Sequence, residues 1–422
     1  MSSTIAEKKS NIWLYVIPLL LVSVFIRKAL SDAVVSLSAI FFIVYVIKYK
    51  RVDFLSVPWL RAALLFFAYG VITSFFSPFP QAALTQALIF IRWPLFAAML
   101  YFIAFNNEKN IEVFEKAAVV FLLFIMFDTL LQMIHGTDIF GRTLQEEYHR
   151  PTGPFVKLVA GVYSLKVFFF AFVGCYFIFK NKSKAFEVIL TAIYALVAVF
   201  ILSTGERVVF LLMLMGLVLW LGALVYKNPA TLRYILPILA ISVGGLAVLL
   251  SFSSVSVLSR AGSFVDLLNN FPESTYGRIF HAATEVWKTQ PITGVGMRMY
   301  SETCEILALP DVLNWCNRHP HNIYLEVLAQ AGVIGMMLFL YMLFCFFKPL
   351  LQKKIWQQDY LLAMVLFTSV LVIFWPIASS MSIFANNYAG PVWLTIAWAL
   401  SRARFLQLSV DYPKPQLVRD SQ

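Results

Sequence analysis

The sequence predicts an all-α polytopic membrane protein with about twelve transmembrane helices and one large outer loop. Three observations carry that reading. Of 422 residues, 60% are hydrophobic and only 13% charged, too few charges to cover the surface of a water-soluble domain of this length. The apolar residues fall in long continuous runs, as in Val188–Ser203 and Tyr234–Phe252, whereas a membrane barrel needs short alternating strands. Twelve such runs fit, each close to the roughly 20 residues that cross a hydrocarbon core. Soluble enzymes, DNA-binding proteins and secreted disulfide scaffolds are thereby excluded.

Taken in order, the spans fall near 12–26, 33–47, 59–76, 83–104, 117–134, 158–179, 185–203, 208–226, 234–252, 321–347, 360–379 and 388–404. The chain divides accordingly into transmembrane helices 1–9 (1–252), a periplasmic loop domain (253–320), transmembrane helices 10–12 (321–404) and a cytoplasmic tail (405–422). The start of the chain lacks a charged segment followed by a cleavable small-residue site, so the first span is read as retained. No internal repeat is visible.

The net charge of +11 has a topological source. With the N-terminus inside, twenty basic residues gather on inner segments, from Lys8 and Lys9 through Lys180, Lys182 and Lys184 to Arg402, Arg404, Lys414 and Arg419. The short outer segments hold six: Arg27, Lys28, Arg142, Arg150, Lys157 and Arg207. Positive charge marks the cytoplasmic side, so both termini are expected there, and no nucleic-acid partner is implied.

The polar chemistry concentrates outside. All five histidines, His135, His149, His281, His319 and His321, fall in outer segments or at the outer mouth of a span, and histidine suits proton transfer near neutral pH. The densest cluster is Arg318-His319-Pro320-His321-Asn322, where the proline favours a helix start and puts His321 and Asn322 in the first turn. Two histidines one residue apart, without further Cys, His or carboxylate ligands at metal spacing, give no metal site. Gly332 and Gly335 lie three residues apart on the same span and would let a neighbouring helix approach closely.

Within the spans, Arg92, Asp128 and Lys166 fall at comparable depths, and buried charges are normally paired, so Asp128 is expected to bridge one or both cations. Cys175 and Cys345 lie in spans as packing residues. Cys304 and Cys316 share the outer loop, where a disulfide is expected if the compartment is oxidising.

His321-Asn322, nine residues, Gly332, two residues and Gly335 together resemble the H-N-x9-G-x-x-G signature of bacterial O-antigen ligases and the related polymerases. Ser203-Thr204-Gly205-Glu206-Arg207 is similar to that family's short outer turn ending in an arginine. Arg278, Trp287, Pro291 and Gly294-Val295-Gly296 resemble its arginine, tryptophan and P-x-x-G-x-G run, and Arg150-Pro151-Thr152-Gly153-Pro154-Phe155 its R-x-T-G-P-F turn. The resemblance covers roughly residues 130–345. Two positions depart from it: Arg298 stands where the family often has glycine, and Glu206 precedes Arg207 where a small or hydroxyl residue is usual.

The resemblance implies a GT-C-type membrane glycosyltransferase of the bacterial inner membrane. It would transfer a polysaccharide from an undecaprenyl-diphosphate carrier to the lipid A core, at the periplasmic face, with inversion and without metal or cofactor. A sugar hydroxyl is a poor nucleophile, and His321 is the candidate base, with His319 its rival. Guanidinium groups bind phosphate as a fork without losing charge. Arg207 and Arg278 are thus the candidates for the catalytic diphosphate site, with Arg150 a third substrate-binding arginine. Each has a plainer reading: His321 as a helix cap, Arg207 as an interfacial anchor, Arg278 as the partner of Glu273 or Glu285. An O-antigen polymerase or a protein O-oligosaccharyltransferase would use the same carrier. A lipid-linked oligosaccharide flippase would instead need a charged path to the inner side and paired repeats, neither of which the sequence offers.

Overall fold

A computed structural model describes residues 2–144, 150–180, 182–183, 185–237, 240, 244, 270–307, 314–316, 319–376 and 381–411. The described residues are helical, with no strand among them and one isolated bridge between Thr137 and Thr143. Seven helices are long and apolar enough to cross a membrane, and three shorter apolar helices accompany them. The chain is thus an all-α, multi-pass membrane protein. Most of the expected ninth span, all of 253–269, His149 and Arg318 lie outside the described residues.

The helices are α1 (Ser2–Ile26), α2 (Lys28–Tyr49), α3 (Pro58–Ser74), α4 (Pro80–Phe90), α5 (Arg92–Met99), α6 (Glu108–His135), α7 (Ala160–Lys180), α8 (Phe186–Ser203) and α9 (Arg207–Lys227). Within the 253–320 stretch lie α10 (Thr275–Thr289) and α11 (Tyr300–Leu307), and after it come α12 (Ile323–Leu350), α13 (Lys353–Gln358), α14 (Tyr360–Ile373) and α15 (Asn386–Asp411). Local signals set the ends: the Asn107 side chain accepts the Asn110 amide to start α6, and Gly136, with φ 80°, ends it.

The core forms around α7, whose residues from Ala160 to Gly174 are all buried, as expected for a helix apolar on every face. It packs on α6, α8, α9 and α14. The opposite case is α2, where Leu37, Ile40, Phe41 and Val44 are exposed and form a lipid-facing stripe. The expected bridging by Asp128 is not what the structure contains. Arg92 pairs with Asp32 at 3.1 Å and donates to Ser36, while Asp128 accepts the Ile139 amide at 2.9 Å. Lys166 lies 3.4 Å from the centre of the Tyr388 ring. Depth along a span follows from residue counting, but the direction a side chain faces is set by how each helix is rotated in the bundle.

Of the two glycines of α12, Gly335 lies against Tyr69 of α3 as expected, and Gly332 differs from expectation. Gly332 is not helical: its φ of 64° and ψ of −170° break the helix in mid-course. The 291–296 segment fills the break. Val333 and Ile334 amides donate to the Pro291 and Ile292 carbonyls at 2.9 and 3.4 Å, and the Val295 and Gly296 amides donate to the Ala329 and Gln330 carbonyls at 3.0 Å each. Tyr69 on α3 donates to the Ala331 carbonyl at 3.0 Å. A Cβ at Gly332 would run into the Ile292 carbonyl, and one at Gly294 (φ 73°) into the Gln330–Ala331 backbone.

This geometry makes Gly332→Ala strongly destabilising, because both the left-handed backbone and the clash oppose a side chain, at about 1–3 kcal/mol for the backbone alone. Gly222→Ala on α9, where a Cβ meets nothing within 4 Å, should be neutral or mildly stabilising. Thermal unfolding of the two purified variants checks the contrast, and equal midpoints would refute the interlock.

Candidate active site

The site is assembled at the start of α12. Asn322 takes an extended backbone (φ −146°), and its side-chain oxygen accepts the Tyr324 and Leu325 amides at 2.9 and 3.1 Å. The helix therefore begins at Ile323, and the capping role falls to Asn322, with His321 just ahead of the helix and not in its first turn. His321 has a left-handed φ of 55°, its ring centre 4.1 Å from that of His319 and 6.0 Å from that of Tyr276. Burial holds the His321 pKa below the ordinary imidazole value of 6.5, since desolvation penalises the charged ring.

Tyr276 belongs to α10, which also carries Arg278. Ser274 caps that helix by accepting the Gly277 amide at 3.0 Å. Arg278 pairs with Glu273 at 2.9 Å and lies over the Trp315 ring at 5.4 Å. The other possible partner, Glu285, instead faces Lys288 and His281. An ion pair as exposed as Arg278–Glu273 contributes about 0–1 kcal/mol, so an anionic ligand displaces it at small cost. Trp315 is fixed by its neighbour: Cys304 and Cys316 form a disulfide with a Cα separation of 5.5 Å, tying the loop segment to α11.

The third part is the α8–α9 turn. Gly205 (φ 78°) folds it back, and Arg150 donates to the Thr204 carbonyl at 3.0 Å and approaches Glu206 at 3.7 Å. Arg207 opens α9 immediately afterwards. The segment that carries Arg150 is held in turn by Gln132, a polar residue on the apolar α6, which accepts the Thr152 and Gly153 amides at 2.8 and 2.9 Å. Burial pushes the Glu206 carboxyl up to about 7, against the opposing pull of Arg150.

A cavity of about 810 Å3 adjoins these parts. Arg27, Lys28, Lys157, Arg298, His319, Glu302, Glu326 and Gln330 supply its polar lining, while His321, Arg150, Arg207 and Arg278 are not among the described lining residues. The structure thus puts His321 beside the helix of Arg278, and Arg150 beside the turn of Arg207, and it gives His319 the position facing the cavity. Arg298 has a left-handed φ of 61°, which accounts for the glycine preference at that position. Its amide is held by Gln330 and its guanidinium donates to Gln86 at 3.2 Å.

Glu326 and Gln330 were missed as site residues. Glu326 is buried and accepts from Gln330 at 3.2 Å, from the Ile383 amide at 3.0 Å and from the Ser382 hydroxyl. The available signal was a carboxylate and an amide four residues apart in an apolar span, since ionisable groups there are costly and serve a purpose.

The raised Glu206 pKa has a definite consequence. The folded protein keeps a proton that the unfolded chain releases, so this contribution to stability is full below the unfolded value near 4.5 and is lost as pH rises through about 7. Glu206→Gln removes that loss, and its thermal midpoint relative to the wild type should rise between about pH 5 and about pH 8. A constant difference across that range would show that Glu206 does not titrate there.

A family model described as O-antigen ligase matches residues 190–340. The matched stretch holds Arg207, Arg278, the 291–296 segment, His321 and Gly332. No curated protein matches the chain. The matched stretch, residues 190–340, is thus similar to the O-antigen ligase family.

Proposed function

We propose that the protein is an O-antigen ligase of the bacterial inner membrane. It moves a polysaccharide from undecaprenyl diphosphate to a hydroxyl of the lipid A core at the periplasmic face. The observation that carries this reading is the placement of a half-buried His321, its pKa held below the ordinary imidazole value, ahead of α12, against His319 at the cavity and against the helix that bears Arg278.

In the proposed reaction the acceptor hydroxyl oxygen attacks the anomeric carbon as the bond from that carbon to the diphosphate oxygen breaks. His321 takes the hydroxyl proton, and undecaprenyl diphosphate leaves with the electron pair. Single displacement inverts the anomeric configuration. Arg207 and Arg278, with Arg150, neutralise the departing diphosphate, and such fixed positive charge acts most strongly where water is partly excluded. No step in this scheme calls for a metal or cofactor.

Deletion of the gene and analysis of both glycolipid pools tests the reading. Loss of a ligase leaves long polymer on undecaprenyl diphosphate and bare core on lipid A. Core capped with a single repeat would instead assign the polymerase reaction, and carrier-linked repeats trapped inside would assign a flippase.

At residue level, His321→Ala should lower transfer by roughly 10²–10⁴-fold with membrane abundance unchanged. Because burial lowers the His321 pKa, the acid limb of the wild-type kcat/KM profile should bend below pH 6.5. Retained transfer in the variant, or an acid limb above that value, would remove His321 as the base.

A further inference from the structure

Three of the cavity's cations are unused by the scheme above. Arg27 and Lys28 form the joint between α1 and α2, and Lys157 lies in the segment leading into α7. Aromatic contacts clamp the two elements together: the Tyr163 ring meets Phe25 at 5.1 Å and Phe155 at 4.9 Å, both edge-on. Among the described residues, none of the three cations has an ion pair or a side-chain hydrogen bond. Their counterparts in the lining are different. Glu326 is engaged by Gln330, Ser382 and Ile383, Asn386 donates to Asp32 at 2.9 Å, and Arg298 and Glu302 lie at the start of α11.

One wall therefore offers uncommitted positive charge, and the rest, besides His319 and an Arg298 engaged by Gln86, offers carboxylates and amides suited to sugar hydroxyls. A cavity of about 810 Å3 is within the roughly 300–1,000 Å3 range of pockets that enclose a medium-sized ligand, and is far larger than a diphosphate needs. The diphosphate arginines do not line it. His319 does, and its ring contacts His321, so a hydroxyl presented from the cavity arrives beside the base.

We propose that this cavity is the acceptor site and that Arg27, Lys28 and Lys157 bind the phosphate or carboxylate groups of an acidic oligosaccharide headgroup. The inference rests on the transferase reading and adds to it the recognition of the acceptor. The three cations sort acceptors by charge: an acidic core is held, and a neutral glycan of the same size is not.

The test uses the full chain in nanodiscs and measures binding of rough lipopolysaccharide, which is lipid A core without polymer, in the absence of donor. A parallel arm uses the same glycolipid after removal of its phosphates. The triple variant Arg27→Gln, Lys28→Gln, Lys157→Gln should bind the phosphorylated glycolipid roughly tenfold more weakly or worse, given the strength of charge-assisted hydrogen bonds. It should lose most of the discrimination between the two glycolipids, and Lys48→Gln, on an inner segment, should behave as wild type. In transfer assays the acceptor KM should rise while the donor KM stays unchanged.

A triple variant that binds acceptor as tightly as wild type overturns the proposal. So does one that loses undecaprenyl-diphosphate binding instead, which would assign the cations to the donor, or one that loses only retention of phosphatidylglycerol, which would make them a lipid anchor. Wild-type protein that binds the glycolipid through these residues yet transfers no glycan would refute the transferase reading and leave the site standing.

Discussion

The candidate site of this protein depends on the break in α12 at Gly332. An unbroken transmembrane helix satisfies its own backbone, and a broken one leaves amides and carbonyls without partners, each costly in an apolar setting. Here the 291–296 segment supplies the missing hydrogen bonds on both sides of the break. Because the fit is backbone against backbone, both partners must be glycine at the point of contact, Gly332 on the helix and Gly294 on the loop. Two sequence motifs nearly forty positions apart are thus halves of one joint. The joint fixes where α10 ends and α11 begins, and with them the lie of Arg278 and Arg298 relative to His319 and His321.

How much of this was legible in the sequence varied with the kind of information needed. Span positions were legible, because a continuous apolar run states its own length. The expected helices near 33–47, 158–179 and 208–226 correspond to α2, α7 and α9 within a few residues. The Cys304–Cys316 pairing was legible as well, from the place the two cysteines share in the 253–320 stretch. Helix rotation was not legible, and Arg92, expected to meet Asp128, reaches back to Asp32 on α2 instead. The break at Gly332 was hidden for a related reason: a glycine used for close packing and one used for a left-handed backbone read alike, and only the approach of the loop decides between them.

The scarcity of charge that marks the chain as a membrane protein also limits what each charge can be doing. Several are visibly structural: Arg92 with Asp32, Arg142 with Asp138, Arg278 loosely with Glu273. Glu206 shows how a family departure is absorbed. Its carboxylate faces Arg150 and receives amides at the start of α7, so its burial ties the R-x-T-G-P-F turn to the α8–α9 turn. The cost of burying it is the raised pKa, and the gain is a fixed distance between two arginine-bearing elements.

The conformation of His321 follows from its neighbours and not from its own preference. Pro320 restricts the residue before it and fixes its own φ, and Asn322 must be extended for its side chain to reach the Tyr324 and Leu325 amides. The chain can turn from one to the other only at His321, which takes the left-handed φ of 55° at a cost of about 1–3 kcal/mol. Strain of that size persists when the surroundings over-determine it, and here a rigid proline lies on one side and a capped helix on the other. The imidazole is thereby held out of the helix, packed against His319 and Tyr276 and shielded enough to remain neutral. A histidine one residue later would take the place of the Asn322 cap and leave the Tyr324 and Leu325 amides without their acceptor.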